Sequence, residues 1–207
     1  MLPAKQGLYD PQNEHDNCGA GFICSLKGKK TNNIIHKALD ILDCLEHRGA
    51  VSADGKTGDG AGILIEIPHD FLLGQCEFKL PELHQYAVGM VFLPKKENQR
   101  SFCVSVLENE VKKQGLEVLG WRKVPVDPSV VGSIAALTEP VIMQIFIGRG
   151  ENSALSDHEF NIKLFCARKI SEHTISESKL SQSSYFYLPS LSTHTLIYKG
   201  LLIPEDI

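Results

Sequence analysis

The stretch DNCGAGFICSL, residues 16–26, places a cysteine, Cys18, directly before a short apolar run. Three apolar side chains follow at alternate positions: Phe22, Cys24 and Leu26. Because successive side chains of a strand point to opposite faces, this alternation predicts a β-strand over residues 18–26. The cysteine therefore stands at the first position of the first predicted strand.

Residues 1–17, which precede this strand, carry prolines, glycines and asparagines with few apolar side chains. Such a composition is typical of an irregular segment that adds little to a core. The segment also lacks the apolar stretch of a secretory signal peptide. We interpret 1–17 as a propeptide-like lead segment and 18–207 as the folded part.

The period of the apolar residues changes after the first strand. In NNIIHKALDILDCLEHRG, residues 32–49, they recur at three- and four-residue steps, which predicts an amphipathic helix. Asn32 or Asn33 can cap its start, and Gly49 can end it. A loop rich in glycine and aspartate follows over residues 51–62.

Strands and helices then alternate without a regular repeat. Apolar runs predict strands at residues 63–68, 86–93, 116–124, 141–147, 185–188 and 195–198. A helical pattern covers residues 96–114, which Gly115 can end, and another begins at Ser156, where Ser156 and Glu159 form a capping box. This mixture is typical of an α/β or α+β fold with a sizeable sheet.

Composition and charge narrow the function. The chain has 207 residues, of which 43% are hydrophobic and 22% charged, as is ordinary for a globular protein. The formal charge of −4 leaves no basic surface for phosphates, so we expect no nucleic-acid partner. No apolar run approaches the roughly 20 residues that span a bilayer, so we expect no membrane partner and a cytoplasmic location.

The six cysteines show no spacing typical of a metal or disulfide framework. They lack a C-x-x-C pair, and no histidine stands at zinc-finger spacing from them. Three of them, Cys44, Cys103 and Cys166, fall inside helical patterns among apolar residues. We predict that these three are small buried apolar side chains.

One motif nearly matches a nucleotide-binding loop. In GAVSADGKT, residues 49–57, the Gly-Lys-Thr end fits a phosphate loop, but Ala50 stands where the first glycine is required. The motif also follows a helix and enters a strand, whereas a phosphate loop follows a strand and opens a helix. We therefore expect its glycines to serve left-handed backbone angles and a close approach to a neighbouring segment.

Cys18 is the candidate nucleophile, but it needs a base. A thiol with the ordinary pKa of about 8.5 is only a few per cent thiolate at neutral pH. A free α-amine, with a reference pKa of about 7.7 to 8.0, could accept the proton. In the chain as written that nitrogen belongs to the Asn17–Cys18 amide, and removal of residues 1–17 would create base and nucleophile together.

Several motifs together resemble one family. CGAGF at 18–22 and LEHRGAVSADGKTGDGAGILIEIP at 45–68 are similar to the start of the glutamine amidotransferase domain of glutamate synthases. EPVIMQIFIGRG, KLFCARK and YLPSLSTHTLIYKGLLIPEDI resemble successive later parts. The domain is a class II amidotransferase of the N-terminal-nucleophile hydrolase type, and the resemblance covers the chain after the lead segment.

The resemblance implies an α+β fold, a four-layer αββα sandwich, which is incomplete here because the family's domain is about twice as long. It implies that Cys18 attacks the side-chain amide of L-glutamine and that its own amine moves the proton. Arg48 matches an arginine that lines the substrate pocket, although a role at the carbonyl end of the helix would explain Arg48 as well. Gly49 and the Gly-Asp-Gly at 58–60 would shape the adjoining loop.

The resemblance further implies that the ammonia is transferred to 2-oxoglutarate for glutamate synthesis. FMN and an iron-sulfur cluster belong to the full-length enzyme, and we expect no cofactor in this part. The expected partners are L-glutamine and the remaining amidotransferase and synthase domains, with a plastid location in a photosynthetic eukaryote. Two alternatives stay open: an inactive, truncated interaction module, and a cysteine amidohydrolase that acts on another amide.

Overall fold

The computed structural model describes residues 4–7, 10, 19–150 and 155–207, which contain helices and two antiparallel sheets. The α-helices are α1 (Asn32–Cys44), α2 (His69–Leu73), α3 (Glu97–Lys113), α4 (Ser133–Ala136) and α5 (Asp157–Ser176). The strands are β1 (Ala61–Glu66), β2 (Tyr86–Leu93), β3 (Glu117–Lys123), β4 (Val141–Gly148), β5 (Tyr187–Ser192) and β6 (Thr195–Gly200).

The larger sheet has four strands in the order β3-β4-β2-β5. Its central pair runs from Tyr86 opposite Gly148 to Leu93 opposite Val141. The smaller sheet pairs β1 with β6, with Ala61 opposite Gly200. Because β5 and β6 follow one another through a short turn but belong to different sheets, this connection joins the two sheets.

One face of the four-stranded sheet carries the helices α3 and α5. Alternate residues of the central strands, such as Ala87 and Val91 in β2 and Ile145 in β4, meet the buried face of the two helices, with Leu107 and Leu164 at its centre. All of these side chains are almost completely inaccessible to water. Burial on this scale, at about 25 cal/mol per Å² of apolar surface, makes this layer the main source of stability.

The opposite face of the same sheet packs against the smaller sheet. Val88 and Met90 of β2 and Phe146 of β4 point to this side, where Leu196 of β6 meets them. The strand period of two thus divides β2 and β4 between two cores. Helix α1 contacts β1 of the smaller sheet.

The first predicted strand is wrong for the part that can be compared. Residues 19–26 contain no strand, and Cys18 lies outside the described residues. Phe22 is 91% exposed and Leu26 is 99% exposed, so the alternating side chains have no apolar surface to cover. Without such burial, alternation alone does not stabilise a strand.

The remaining predicted elements are confirmed within a few residues. The capping box at the start of α5 is present, because the Ser156 side chain accepts from Glu159 N and Glu159 accepts from Ser156 N. Helix α3 ends before Gly115, which adopts a left-handed φ of 73°. Neither of the short helices α2 and α4 was predicted, because each is too short to show a helical period.

The caps of α1 differ from the prediction. Thr31, rather than Asn32 or Asn33, occupies the N-cap position, and it makes no side-chain capping hydrogen bond. The helix ends at Cys44, and a 3-10 turn over Glu46–Arg48 separates it from Gly49. The single helix predicted over residues 32–49 is therefore an α-helix followed by a separate 3-10 turn.

The three helical cysteines occupy different environments. Cys103 is buried, as predicted, and burial raises the pKa of its thiol to about 11. Cys166 is only partly buried, and Cys44 is exposed, so the prediction for Cys44 is wrong. The reason is that α1 has no fully buried residue, because only one side of it meets the protein.

The architecture is thus a mixed α and β fold with antiparallel sheets. Among the described helices, none combines the length and apolar character that crossing a bilayer requires.

Candidate active site

A cleft of about 1140 Å³ lies between the end of α1 and the smaller sheet. Gly19 lines it, as do Leu42 and Leu45 at the end of α1. The first residues of β1 and the last residues of β6 also line the cleft, as do Gly49 and Asp59. The cleft therefore collects segments that are far apart in the sequence.

The chain neighbours of the two predicted site residues line this cleft. Cys18 lies outside the described residues, but Gly19, the next residue, lines the cleft. The backbone of Arg48 ends the 3-10 turn, and its Gly49 neighbour also lines the cleft; the Arg48 side chain lies outside the described part. The structure thus places Gly19 and Gly49 at one cleft, while the positions and roles of the Cys18 and Arg48 side chains stay predictions.

The loop between α1 and β1 forms a small hairpin beside the cleft. Val51 pairs with Gly58 in an isolated antiparallel bridge, and Ser52 N donates to Thr57 O at 2.8 Å. Gly55 closes the turn with a left-handed φ of 70°. As predicted, the loop follows a helix and enters a strand, so it does not have the strand-to-helix context of a phosphate loop.

The carboxylate of Asp54 fastens this hairpin to α4. One oxygen, Oδ1, accepts from Thr57 N at 2.8 Å, and the other, Oδ2, accepts from the Thr57 hydroxyl at 2.6 Å. Ile134 N, at the start of α4, donates to the same Oδ2 at 3.0 Å. These bonds, above all the one from the Thr57 hydroxyl, hold the pKa of Asp54 well below its usual value.

Thr57 completes this fastening from the buried side. Its hydroxyl oxygen also accepts from Ala135 N at 3.2 Å, and its side chain is buried. Gly132, just before α4, has no room for a Cβ because the Asp54 and Thr57 side chains occupy that space. We call the contacts of Asp54 and Thr57 with residues 132–135 the loop lock.

Glycines allow the other close approaches of the loop, as predicted. A Cβ at Gly58 would lie 2.7 Å from the carbonyl carbon of Leu202, well inside contact distance. A Cβ at Gly49 would lie 3.2 Å from Oδ1 of Asp59. Gly60 adopts a φ of 128°, which side chains rarely tolerate.

Two residues of the cleft, Lys199 and Tyr187, were not predicted from the sequence. The Lys199 Nζ donates to the Tyr187 hydroxyl at 3.0 Å and lies 4.5 Å from the centre of the Tyr187 ring. Among the described lining residues, Lys199 and Asp59 carry the charges. The sequence could have indicated Lys199, because it is the one charged residue in the run TLIYKG, residues 195–200. A charged residue in such a strand must reach water or a partner.

Potential metal-binding side chains are dispersed over the described residues. Within these ranges, no group of three or more histidine, cysteine, aspartate or glutamate side chains converges closely enough to hold an ion. Among the described lining residues, the cleft therefore offers a lysine and a carboxylate for contact with a small polar molecule.

Comparisons with known proteins identify the same family that the sequence motifs resemble. The family model described as "Glutamine amidotransferases class-II" matches residues 18–207. Over its whole length the chain is 41% identical to the NADPH glutamate synthase large chain of Bacillus subtilis and 39% identical to the NADH glutamate synthase of Saccharomyces cerevisiae. It is 38% identical, over 99% of its length, to ferredoxin-dependent glutamate synthase 2, chloroplastic, of Arabidopsis thaliana.

The chain spans 13%, 10% and 12%, respectively, of the length of these three proteins. Their similarity extends across both sheets and both cores, and the family match begins at Cys18 itself. The resemblance predicted from the motifs is thereby confirmed, and the chain belongs to the class II glutamine amidotransferases.

Proposed function

We propose that the chain is the glutaminase part of a glutamate synthase. It would hydrolyse L-glutamine to glutamate and ammonia, and the ammonia would be transferred to 2-oxoglutarate. The observation that carries the proposal is the start of the family match at Cys18, directly before a residue that lines the cleft. The names of the relatives supply the synthase context.

In the proposed reaction, the Cys18 thiolate attacks the carbonyl carbon of the glutamine side chain. The Cys18 α-amine takes the thiol proton and returns it to the leaving nitrogen, so that ammonia departs and a thioester remains. Water, deprotonated by the same amine, then attacks the thioester. Glutamate leaves, and the thiol is restored.

The chemistry requires residue 18 to be the first residue, because only then is its nitrogen a base. We therefore propose that 1–17 is a propeptide whose removal activates the protein, with 18–207 as the amidotransferase part. Arg48 is proposed to line the substrate pocket, next to Gly49. The loop lock would hold this side of the cleft in place while substrate enters.

The proposed fold is the αββα sandwich. Support comes from the two apolar cores on opposite faces of the four-stranded sheet, one under α3 and α5 and the other under the smaller sheet. Helix α1, which contacts β1, would belong to the second helical layer. Further polypeptide would have to complete this layer and the smaller sheet.

FMN and an iron-sulfur cluster are proposed for the full-length synthase and not for this part. The described cysteines do not converge with other ligands, so these residues do not fit an iron-sulfur cluster. No step of the proposed hydrolysis uses either group. The proposed location is the cytoplasm, or a plastid in a photosynthetic eukaryote, since one relative is named chloroplastic.

One observation favours a second candidate, a non-catalytic module that binds further synthase polypeptide. Phe22 and Leu26, in the segment after Cys18, are 91% and 99% exposed. In this candidate, further synthase polypeptide covers these two side chains. In this candidate the chain contributes architecture and not turnover.

Ammonia release from glutamine tests the proposal on three forms of the chain: the full sequence, a form that begins at Cys18, and that form with Cys18→Ala. We expect the form that begins at Cys18 to be the active one, and Cys18→Ala to lower its rate by about 10³-fold or more. Cys24→Ala, which removes an exposed thiol of the same segment, is the matched control and should retain activity.

Equal rates for the Cys18 form and Cys18→Ala would contradict the glutaminase proposal. If the folded Cys18 form releases no ammonia at all, the non-catalytic candidate is favoured. Hydrolysis of other amides with glutamine untouched would instead indicate a cysteine amidohydrolase of different specificity.

A further inference from the structure

Two histidines that are distant in the sequence lie against each other, away from the cleft. His84 precedes β2, and His194 lies in the turn between β5 and β6. Their ring centres are 4.4 Å apart, and the ring planes are inclined by 39°. Neither residue has a part in the proposed hydrolysis.

The backbone holds His84 in an unusual conformation. Its φ of 68° makes it the one residue other than glycine with a left-handed φ among those described. The buried Arg149 donates from Nη2 to the His84 carbonyl oxygen at 3.3 Å, which fixes this conformation from the other side. Strained backbone of this kind persists only where surrounding contacts enforce it, and it occurs often at functional sites.

A hydrogen bond also determines which His84 nitrogen is available. Nδ1 of His84 lies 3.0 Å from the carbonyl oxygen of Thr193. Because a carbonyl oxygen only accepts, Nδ1 must carry the proton, and Nε2 of the neutral ring keeps its lone pair. Histidine ligands of metal ions are typically oriented by such a bond from the other ring nitrogen.

The turn that carries His194 is anchored as well. His194 N donates to Ser192 Oγ at 3.0 Å, and the His194 carbonyl accepts from Ile67 N at 2.9 Å. Thr193, the residue between Ser192 and His194, is buried, while the His194 side chain is exposed. The two rings are therefore presented from fixed backbones, with one side open to solvent.

The separation of the rings suits two ligands of one ion. A metal–nitrogen bond of about 2.0–2.1 Å places a ring centre about 3.2 Å from the ion, so two imidazoles about 90° apart have centres about 4.5 Å apart. The 4.4 Å between His84 and His194 matches this spacing. Neighbouring ligands in square-planar and octahedral sites meet at this angle.

We propose that His84 and His194 together bind a divalent transition-metal ion that prefers imidazole ligands, such as Ni²⁺, Cu²⁺ or Zn²⁺. Among the described residues no third histidine, cysteine or carboxylate converges with them, so water fills the other coordination positions. The bound ion cross-links the turn between β5 and β6 to the segment before β2. Because the unfolded chain cannot present the pair, binding stabilises the fold.

Ni²⁺ titration by calorimetry, with thermal unfolding in parallel, tests the site. The chain should carry Cys24→Ser and Cys44→Ser, because exposed thiols also bind Ni²⁺. At a hundredfold excess over Kd we expect the Tm to rise by about 5–10 °C. His84→Asn and His194→Gln should each weaken binding about tenfold or more and abolish the rise, since a lone histidine lacks the second ligand.

His173→Gln is the matched control, because His173 is an exposed histidine in the last turn of α5 and, among the contacts of the described residues, makes none with either ring of the pair. It should leave Ni²⁺ binding unchanged. Asparagine tolerates a left-handed φ, so His84→Asn should keep the fold; if it does not, His194→Gln in the exposed turn answers alone. Equal Ni²⁺ affinity and Tm in the parent and in His194→Gln would overturn the proposal and leave an ordinary ring contact.

Discussion

The two sides of the molecule are stabilised in different ways. On the helix-backed side, α3 and α5 pack on the four-stranded sheet through side chains that are almost fully buried. On the cleft side, which comprises residues 19–66 with β6, α1 has no fully buried residue. The apolar side chains Phe22 and Leu26 there face solvent.

The difference shows which side of the fold depends on the identity of individual residues. Burial on the helix-backed side needs only apolar residues of suitable size and period, and many sequences satisfy it. The cleft side contributes to the second core through Leu196 of β6, but it depends in addition on individual polar contacts, such as those of Asp54, and on backbone approaches that only glycine permits. Substitutions should therefore lower global stability on the first side and change local geometry on the second.

Matched truncations give the largest expected contrast. Leu164→Ala removes a side chain that is 1% exposed at the centre of the helix-backed core, and we expect the free energy of unfolding to fall by about 3 kcal/mol. Leu39→Ala, in the partly exposed α1, should cost about 1 kcal/mol, because less surface is buried. Urea unfolding of both variants measures the difference, and equal losses would contradict the comparison.

The same contrast explains which elements could be predicted from the sequence. Strands β2 and β4 were predicted within a few residues because each is a largely apolar run, and helices α3 and α5 because their sequences carry a helical pattern with end signals. The capping box at Ser156 was predicted because it is a local pattern with a local structure. Tertiary contacts reinforced the local preference in each case.

The cleft side was predicted less well because its structure depends on non-local contacts. The alternation at Phe22 and Leu26 predicted a strand, but no described strand pairs with this segment. The loop lock joins Asp54 to Ile134, and nothing in the local sequence indicates that partner. The meeting of Gly19 and Gly49 at one cleft was expected from the family resemblance and not from any periodicity.

Arg149 provides the second test on the helix-backed side. This arginine, 6% exposed, donates to the Leu155 and His84 carbonyls, pairs with Asp157 and lies over the Phe160 ring. Arg149→Met should lower the free energy of unfolding by about 2–3 kcal/mol, because it leaves two partly buried carbonyl oxygens and the Asp157 carboxylate without their donor. Thermal or urea unfolding measures the loss.

Arg168→Met is the control for Arg149. Arg168 pairs with Glu172 on the surface of α5, and such pairs contribute only about 0–1 kcal/mol. If both arginine variants lose the same free energy of unfolding, the contacts of Arg149 contribute no more than a surface ion pair, and the prediction is wrong.

Gly58→Ala should disturb the cleft side without a large global effect. The added Cβ meets the backbone of Leu202, so the hairpin loop must shift, at an expected cost of about 1–2 kcal/mol. Hydrogen exchange should quicken in residues 50–60 and stay unchanged in β2. Gly74→Ala, where the new Cβ would make an ordinary 3.6 Å contact, is the control; quickened exchange in β2 for Gly58→Ala would show that the two sides are not separate.

The loop lock gives the smallest and most specific effect. Thr57→Val keeps the shape of the side chain but removes the hydroxyl that donates to Asp54 and accepts from Ala135 N, and should cost about 1 kcal/mol at pH 7. Thr57→Ser, which retains the hydroxyl, should recover most of this loss. Urea unfolding of the three proteins measures both changes.

The effect of Thr57→Val should depend on pH in one direction. The pKa of Asp54 is lowered in the folded protein, so its contribution to stability is present above the unfolded pKa of about 3.9 and is lost as the pH falls below it. The difference between wild type and Thr57→Val should therefore shrink when unfolding is measured below about pH 4. A difference that stays constant from pH 7 into this acid range would mean that the Thr57 hydroxyl stabilises the loop through Ala135 alone, and that the Asp54 carboxylate does not fasten the cleft to α4.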